Sequence, residues 1–454
     1  MARCPANSSW RGPWGATLAN GSLRGPDAAS VLRNPATIRQ RCAAITRAVS
    51  EGRSAHFRLD RSRLDDVARR VEAVTRMAYP DLRIPYHSRW RHFEVGGVDR
   101  KAQMDTLLAG RSTADVARAR IDLTVISVLL DAGAGPQWSY AEAASGQRFT
   151  RSEGLGVATL RAYLNGDFSA VAGDPLRVDA SRLLQLDAAA LATVFQCSPS
   201  NPLVGLDGRA ALLRRLGLAL QAQAVVSGQP ARPSALWDRL VGSQGVAPDE
   251  PMGEKRIGAD QSTTAPISAA QVLRDLLDTF SPIWLTGRVL HGVPLGDVWP
   301  HRWAGGEDPM AGRHGTTAGW VPFHKLSQWL AYSLLEPFEW AGITVTALDS
   351  LTGLPEYRNG GLLLDGGVIV ARDKSSRAKT WQVGDEFIIE WRALTVALLD
   401  ELAPLVRMRL GQTAEQMPLA CVLEGGTWAT GRVLAQELRG GAPPLTISSD
   451  GTVF

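Results

Sequence analysis

Glu356, Tyr357 and Arg358 stand side by side, with Pro355 before them and Asn359 and the pair Gly360 and Gly361 after them. A carboxylate on a turn defined by Pro and Gly, next to a helical stretch, is placed to stabilise positive charge or to activate a water. The same residues also suit a surface turn closed by an Arg–Glu pair. A second concentration lies at residues 84–93, where Tyr86, His87, Arg89, Trp90, Arg91 and His92 crowd together. Arg89 or Arg91 is suited to a bidentate grip on a phosphate, and Trp90 or Tyr86 to covering a sugar or base-like face. A polar turn at a lobe boundary is the alternative.

Three further stretches carry chemistry-bearing residues. His324, Gln328 and Tyr332 recur at four-residue spacing and so share one face of an amphipathic helix that runs on to Trp340. Such a face lines a pocket, or holds a hydrogen-bonded core histidine. Glu390 and Arg392 interrupt the apolar run 386–399, where a charge must be paired or used. Gly425 and Gly426, after Glu424, precede a helical stretch and leave amides for an anion. No HExxH, no clustered His, Cys and Asp ligand set, and no GxSxG elbow is present, so neither a metal nor another cofactor is demanded and isolated carboxylates are the catalytic candidates.

The elements that position these residues are mainly helical. Helices are expected over 36–50, 61–78, 112–131, 153–164, 207–226 and 268–279 from apolar spacing of three and four. In the second, Leu64, Val67, Val71 and Val74 form the stripe and Asp65, Asp66, Arg69 and Arg70 face out. Two hairpins are expected: 362–364 with 368–370 across Asp365, Gly366 and Gly367, and 445–448 with 452–454 across Asp450 and Gly451. No strand–helix alternation and no GxGxxG is found, which argues against a Rossmann or P-loop fold. The expected fold class is mostly α, a multi-helix globular fold with short β-hairpins. The organisation is read as an N-terminal arm (1–34), a helical lobe (35–242), a linker or long loop (243–266) and a second helical lobe (267–454).

Composition narrows the function classes. The 454 residues are 45% hydrophobic and 21% charged with a net charge of +4, which is globular and carries no nucleic-acid stripe. No apolar run is long enough to span a bilayer, so no membrane partner is expected. Cys4, Cys42, Cys197 and Cys421 are far apart, as in a reducing compartment, and the N-terminus lacks an apolar h-region. A cytoplasmic location is therefore expected. The sequence does not set an oligomeric state.

Five blocks carry a family resemblance: 86–94 (YHSRWRHFE), 292–299 (GVPLGDVW), 322–330 (PFHKLSQWL), 351–361 (LTGLPEYRNGG) and 424–428 (EGGTW). Through them the chain, from about residue 35 to its end, resembles the uracil-catabolism family of fungi and bacteria, whose ring-opening route passes through ribosylurea. A more distant similarity is to the queuosine-salvage nucleotide N-glycosidases, which are mostly α and similar to helix-hairpin-helix DNA glycosylases. Their Leu-Thr lead-in and Asp-Tyr-Arg segment are matched by Leu351, Thr352 and Glu356 to Arg358, with Glu in place of Asp. Their Glu-Ile-Arg is loosely matched by Glu390, Trp391 and Arg392.

What these resemblances imply is hydrolysis of the N-glycosidic bond of ribosylurea or its 5′-phosphate, a nucleoside- or nucleotide-derived small molecule, with release of urea. The catalytic set is then expected to be Glu356, positioned by Tyr357 and Arg358, with His324 protonating the leaving group. The binding set is expected to be His87, Arg89, Trp90, Arg91, Gln328, Arg358, Asn359, Glu390 and Arg392. A metal-independent amidohydrolase acting on an opened-ring ureido compound and a non-catalytic partner of a pathway enzyme are the alternatives.

Overall fold

Helix begins wherever the sequence offers a cap and an apolar stripe. In a computed structural model that describes residues 25–131, 133–242, 265–305 and 317–448, the helices in chain order are α1 (Gly25–Leu32), α2 (Pro35–Ser50), α3 (Leu64–Ala78), α4 (Trp90–Phe93), α5 (Arg100–Leu107), α6 (Thr113–Leu129), α7 (Arg151–Asn165), α8 (Ala180–Leu183), α9 (Ala188–Val194), α10 (Leu206–Ser227), α11 (Ala235–Leu240), α12 (Ala269–Phe280), α13 (Lys325–Trp340), α14 (Tyr357–Asp365), α15 (Glu386–Leu410), α16 (Leu419–Val422) and α17 (Trp428–Arg439). Asn34 caps α2 ahead of Pro35, Ser112 caps α6, and Ser268 with Gln271 forms a capping box on α12. The mostly α expectation holds, and the expected helices fall within a few residues of those observed.

Strands are short and occur in pairs. Antiparallel pairs join β1 (Phe57–Leu59) to β10 (Ile369–Ala371), β2 (Ser139–Glu142) to β3 (Gln147–Thr150), β5 (Val289–Leu290) to β6 (Val293–Pro294), and β7 (Val298–Pro300) to β8 (Trp320–Pro322). Parallel pairs join β4 (Ile267–Ser268) to β9 (Val345–Thr346) and β11 (Thr380–Gln382) to β12 (Thr446–Ser448). Among the described residues no sheet exceeds two strands.

The first expected hairpin is corrected, and the second arm and turn of the other, 449–454, lie outside the described residues. Residues 362–364 are the last turns of α14, which ends at Gly366 and Gly367, the latter with φ +77°. The following strand, β10, pairs instead with β1, which lies far earlier in the chain. The C-terminal strand β12 runs parallel to β11, and 449–454 lie outside the described residues. The expected linker is outside them too, apart from its last two residues, and so is most of the expected arm. The rest of the arm forms α1, whose Ala28, Ala29 and Leu32 are fully buried.

The core is built around helices that are buried on nearly every side. From Val116 to Leu129, nearly every residue of α6 is buried, and α13 packs along it with a similar all-round burial. The long α15 lies against α2 and α3, and α14 lies against α15 and α17. Helices from both halves of the chain thus interleave in one apolar cluster that runs from Val49 to Leu445. No helix among the described residues is long and apolar enough to cross a membrane.

Two glycines permit the close approach around α14. A Cβ on Gly360 would stand 2.5 Å from Cζ2 of Trp391, and one on Gly431 would overlap the carbonyl oxygen of Arg358. Gly431→Ala should therefore destabilise the fold by about 1–3 kcal/mol through overpacking, although alanine is the better helix former. Urea denaturation checks this, and an unchanged or higher midpoint would show that α14 and α17 separate freely.

Candidate active site

The carboxylate of Glu356 caps α14. Its Oε2 accepts from the backbone N–H of Arg358 at 2.7 Å and its Oε1 from that of Asn359 at 2.6 Å. Each oxygen keeps a further lone pair. Residue 356 is 7% exposed, and burial raises its pKa above the usual carboxylate value while the two amides, Lys325 and His87 pull it down. The α14 N-terminus adds favourable dipole charge.

The segment before Glu356 is gripped from two sides. Gln328 Nε2 donates to Thr352 Oγ1 at 2.7 Å, and the Tyr332 hydroxyl donates to the Thr352 carbonyl at 3.0 Å. From the other side Arg39 donates to the carbonyls of Ser350 and Leu351. Asn359 donates to the Leu354 carbonyl and accepts from Thr427. Of the polar face expected on α13, Gln328 and Tyr332 hold the lead-in to the carboxylate, whereas His324 precedes the helix.

The charges of Lys325 and His87 act on Glu356, and each of them leads to further residues. Lys325, at the first position of α13, is half-buried, and desolvation draws its ammonium below the ordinary pKa while the charges of Glu356 and Asp131 support it. Asp131 accepts from Arg89 at 2.6 Å and from Ser152. The Arg89 guanidinium lies 5.6 Å from the Trp329 ring centre. The His87 ring stands 6.4 Å from Trp329 and 6.0 Å from Trp428, and its Nδ1–H donates to Glu424 at 2.7 Å. Glu424 reaches that position from a π-helical turn, Leu423–Thr427, between α16 and α17. Such turns recur at functional sites because they re-aim a side chain. Two buried donors here, Trp329 Nε1 and Arg89 Nη2, have no hydrogen-bond partner.

Other expected site residues are placed differently. His324 takes a left-handed φ of +48°, bonds the Leu32 carbonyl through Nε2 at 3.0 Å, and is lowered to a pKa of about 4 by burial. It is neutral at pH 7 and faces α1, which sequence patterning did not put there. Trp90 packs edge-on against Phe93 and Trp340 and is 1% exposed. Arg91 pairs with Glu336 at 2.8 Å and with Glu94. Arg89 is likewise occupied by Asp131, Ser127 and Ser152. Both arginines are already charge-paired within the fold. Gly425 and Gly426 sit within the helical run and pack on Ile84, Thr75 and Val71, so they form no free amide loop.

Glu390 and Arg392 do not pair with each other. Glu390 accepts from Ser54 Oγ at 2.6 Å, and Arg392 donates twice to Asp297, at 2.8 and 2.7 Å. Asp297 also accepts from the Lys325 backbone N–H and from Trp299 Nε1. Burial pushes the Asp297 pKa up, but Arg392 outweighs it and holds the carboxyl below its usual range.

His301, Glu386 and Glu390 bring one donor atom each within 4.8 Å of one another, which is metal-like spacing. However, His301 Nδ1 accepts from the Trp303 backbone N–H at 3.3 Å, which leaves the proton on Nε2, and Arg302 already takes both oxygens of Glu386. The group is better suited to an internal charge cluster than to a cation. A groove lined by Arg39, Thr46, Arg61, Asp400 and Glu401 also carries paired charges, Arg39 with Asp400 and Arg61 with Glu401.

Lys325, Asp131, Glu424, Trp329 and Trp428 are the residues sequence reasoning missed as site members. Lys325, Trp329, Glu424 and Trp428 lie inside blocks that stand out by composition; Asp131 has no such signal. Asp297→Asn should leave Arg392 as a buried charge with a weakened partner and cost about 3 kcal/mol or more. A denaturation midpoint near that of the unsubstituted protein would rule out this pair as the anchor of α13.

The family model described as "Protein of unknown function (DUF1688)" matches residues 31–454. The chain is 36% identical over 436 residues to "Uracil catabolism protein 4" of Lachancea kluyveri, covering 89% of this chain and 93% of the relative. It is 37% identical over 406 residues to "Protein urg3" of Schizosaccharomyces pombe (strain 972 / ATCC 24843), covering 88% and 92%. With matches of this extent, the chain belongs to the DUF1688 family, together with these relatives, one of them named for uracil catabolism.

Proposed function

We propose that this protein acts in uracil catabolism as an N-glycoside hydrolase that releases urea from a ribosylurea compound. The observation that carries the reading is the buried Glu356 carboxylate, fixed by two amides, with Lys325 and the His87–Glu424 pair near it. Its relative's name supplies the pathway; the side chains supply the chemistry.

Cleavage of a glycosidic bond passes through an oxocarbenium-like sugar, and a preorganised carboxylate in a dry site stabilises that charge. Glu356 takes this role, or directs water to the anomeric carbon. Water adds its oxygen to that carbon and gives up a proton to the Glu356 carboxylate, the C–N electron pair leaves with the urea nitrogen, and that nitrogen takes up a proton. His87, with Nδ1 held by Glu424, presents its other nitrogen for that transfer and replaces His324 as the acid. The Trp329 and Trp428 rings flank His87 and offer apolar faces to the sugar or the ureido group. The orphan Trp329 Nε1–H is matched by a ureido carbonyl or a hydroxyl.

Glu356→Gln keeps the shape, loses the charge and keeps an acceptor for one of the two α14 amides only. It should lower kcat by about two to three powers of ten while moving the melting temperature far less. Turnover of ribosylurea and its 5′-phosphate, read beside a thermal melt, decides: near-normal turnover ends the catalytic assignment, and a collapse in stability alone makes Glu356 only a helix cap.

The pH profile gives a separate reading. Burial makes Glu356 harder to ionise than the ordinary 4.5, and the ionised form is the working one. Activity should therefore fall as pH drops through a midpoint above 4.5, and Glu356→Gln should remove that limb from the residual rate. A limb unchanged in the variant belongs to another group.

A further inference from the structure

Arg89 and Arg91 are charge-paired within the fold, which leaves other cations to be considered for a phosphorylated substrate. Arg151 opens α7 with a φ of +54°, a left-handed conformation that is strained for a non-glycine residue. It is exposed, and no carboxylate among the described residues pairs with it. Its guanidinium lies at Gly441: a Cβ added to that glycine would stand 3.7 and 3.8 Å from its Nη2 and Nη1. Buried Arg358 donates its Nη1 to the carbonyl of the same Gly441 at 3.3 Å. Two guanidiniums thus meet at one glycine. Arg432 adds a third cation nearby, over the Trp428 ring and paired with Glu153 at 3.0 Å. Burial draws the Arg358 pKa down; Tyr357 and Glu356 support its charge, and Arg151 and Arg432 oppose it.

Like charges gathered in this way are unfavourable until an anion joins them, and paired guanidinium forks match the oxygens of a phosphate. We propose that Arg151 and Arg358 form a phosphate subsite beside Glu356, and that the substrate is therefore a 5-phosphorylated pentose derivative and not the free nucleoside analogue. The proposal rests on the glycosidic reading above. Arg358 lies two residues after Glu356, so an anion held there stands close to the carboxylate that faces the anomeric carbon.

Ribose 5-phosphate and inorganic phosphate are the probes, titrated calorimetrically into the full chain and into Arg151→Gln and Arg151→Lys. The exposed side chain makes loss of folding on substitution a minor concern, and a thermal melt of each variant checks it. Ribose 5-phosphate should bind, Arg151→Gln should weaken it about 10-fold or more, and Arg151→Lys should recover part of the loss. Inorganic phosphate should compete with it in the unsubstituted chain. Equal affinity in Arg151→Gln, or no binding of ribose 5-phosphate at millimolar concentration, overturns the subsite. Arg151-dependent binding without any turnover of ribosylurea 5′-phosphate would sink the reaction and leave the subsite standing. Equal kcat/KM for ribosylurea with and without its phosphate would do the reverse.

Discussion

The Asp297 carboxylate is the junction on which the site depends. It takes two bonds from Arg392 in α15, one from Trp299 in β7 and one from the first amide of α13. Its backbone carbonyl accepts from Phe323 and His324. One buried anion therefore fixes the start of α13 relative to α15. A buried ion pair is weak evidence of net stability, because desolvation offsets much of its attraction, but it fixes register strongly. Here register matters: the residue whose amide Asp297 caps is Lys325, and the turns that follow carry Gln328, Trp329 and Tyr332.

A second constraint follows from the first. Once α13 is placed, Gln328 and Tyr332 hold Thr352, and the chain from there to Glu356 has little freedom. The carboxylate is then locked by the amides of α14, and α14 is pressed between Trp391 and α17 at two glycines. Preorganisation of this kind is what electrostatic catalysis requires, since a charge that need not reorient at the moment of reaction contributes most. The cost is a buried carboxylate and a half-buried ammonium, each displaced from its ordinary pKa.

Much of the fold was legible because helices are local. The stripe of α3 and the caps of α2, α6 and α12 are written in neighbouring residues. Strand partners were not legible. The Asp-Gly-Gly turn after α14 looks like a hairpin, but β10 pairs with β1 more than 300 residues away, and no local rule encodes that choice. The site divided in the same way. Glu356 stood out through its Pro and Gly frame, and His87 through its crowded block. Arg89 and Arg91 looked open because their partners, Asp131 and Glu336, are distant in sequence. Lys325 was masked by its neighbour His324, which carries the more suggestive side chain yet faces Leu32.

The central claim is that the bond broken is the one between the sugar and the ureido nitrogen. Ribosylurea 5′-phosphate labelled with carbon-13 at the ureido carbonyl, followed by carbon-13 NMR in the presence of the protein, tests it most directly. Glycosidic hydrolysis predicts that the label passes intact into urea while ribose 5-phosphate accumulates in equal amount. Label appearing in bicarbonate, with ammonia released, would mean attack at the carbonyl and would contradict the account.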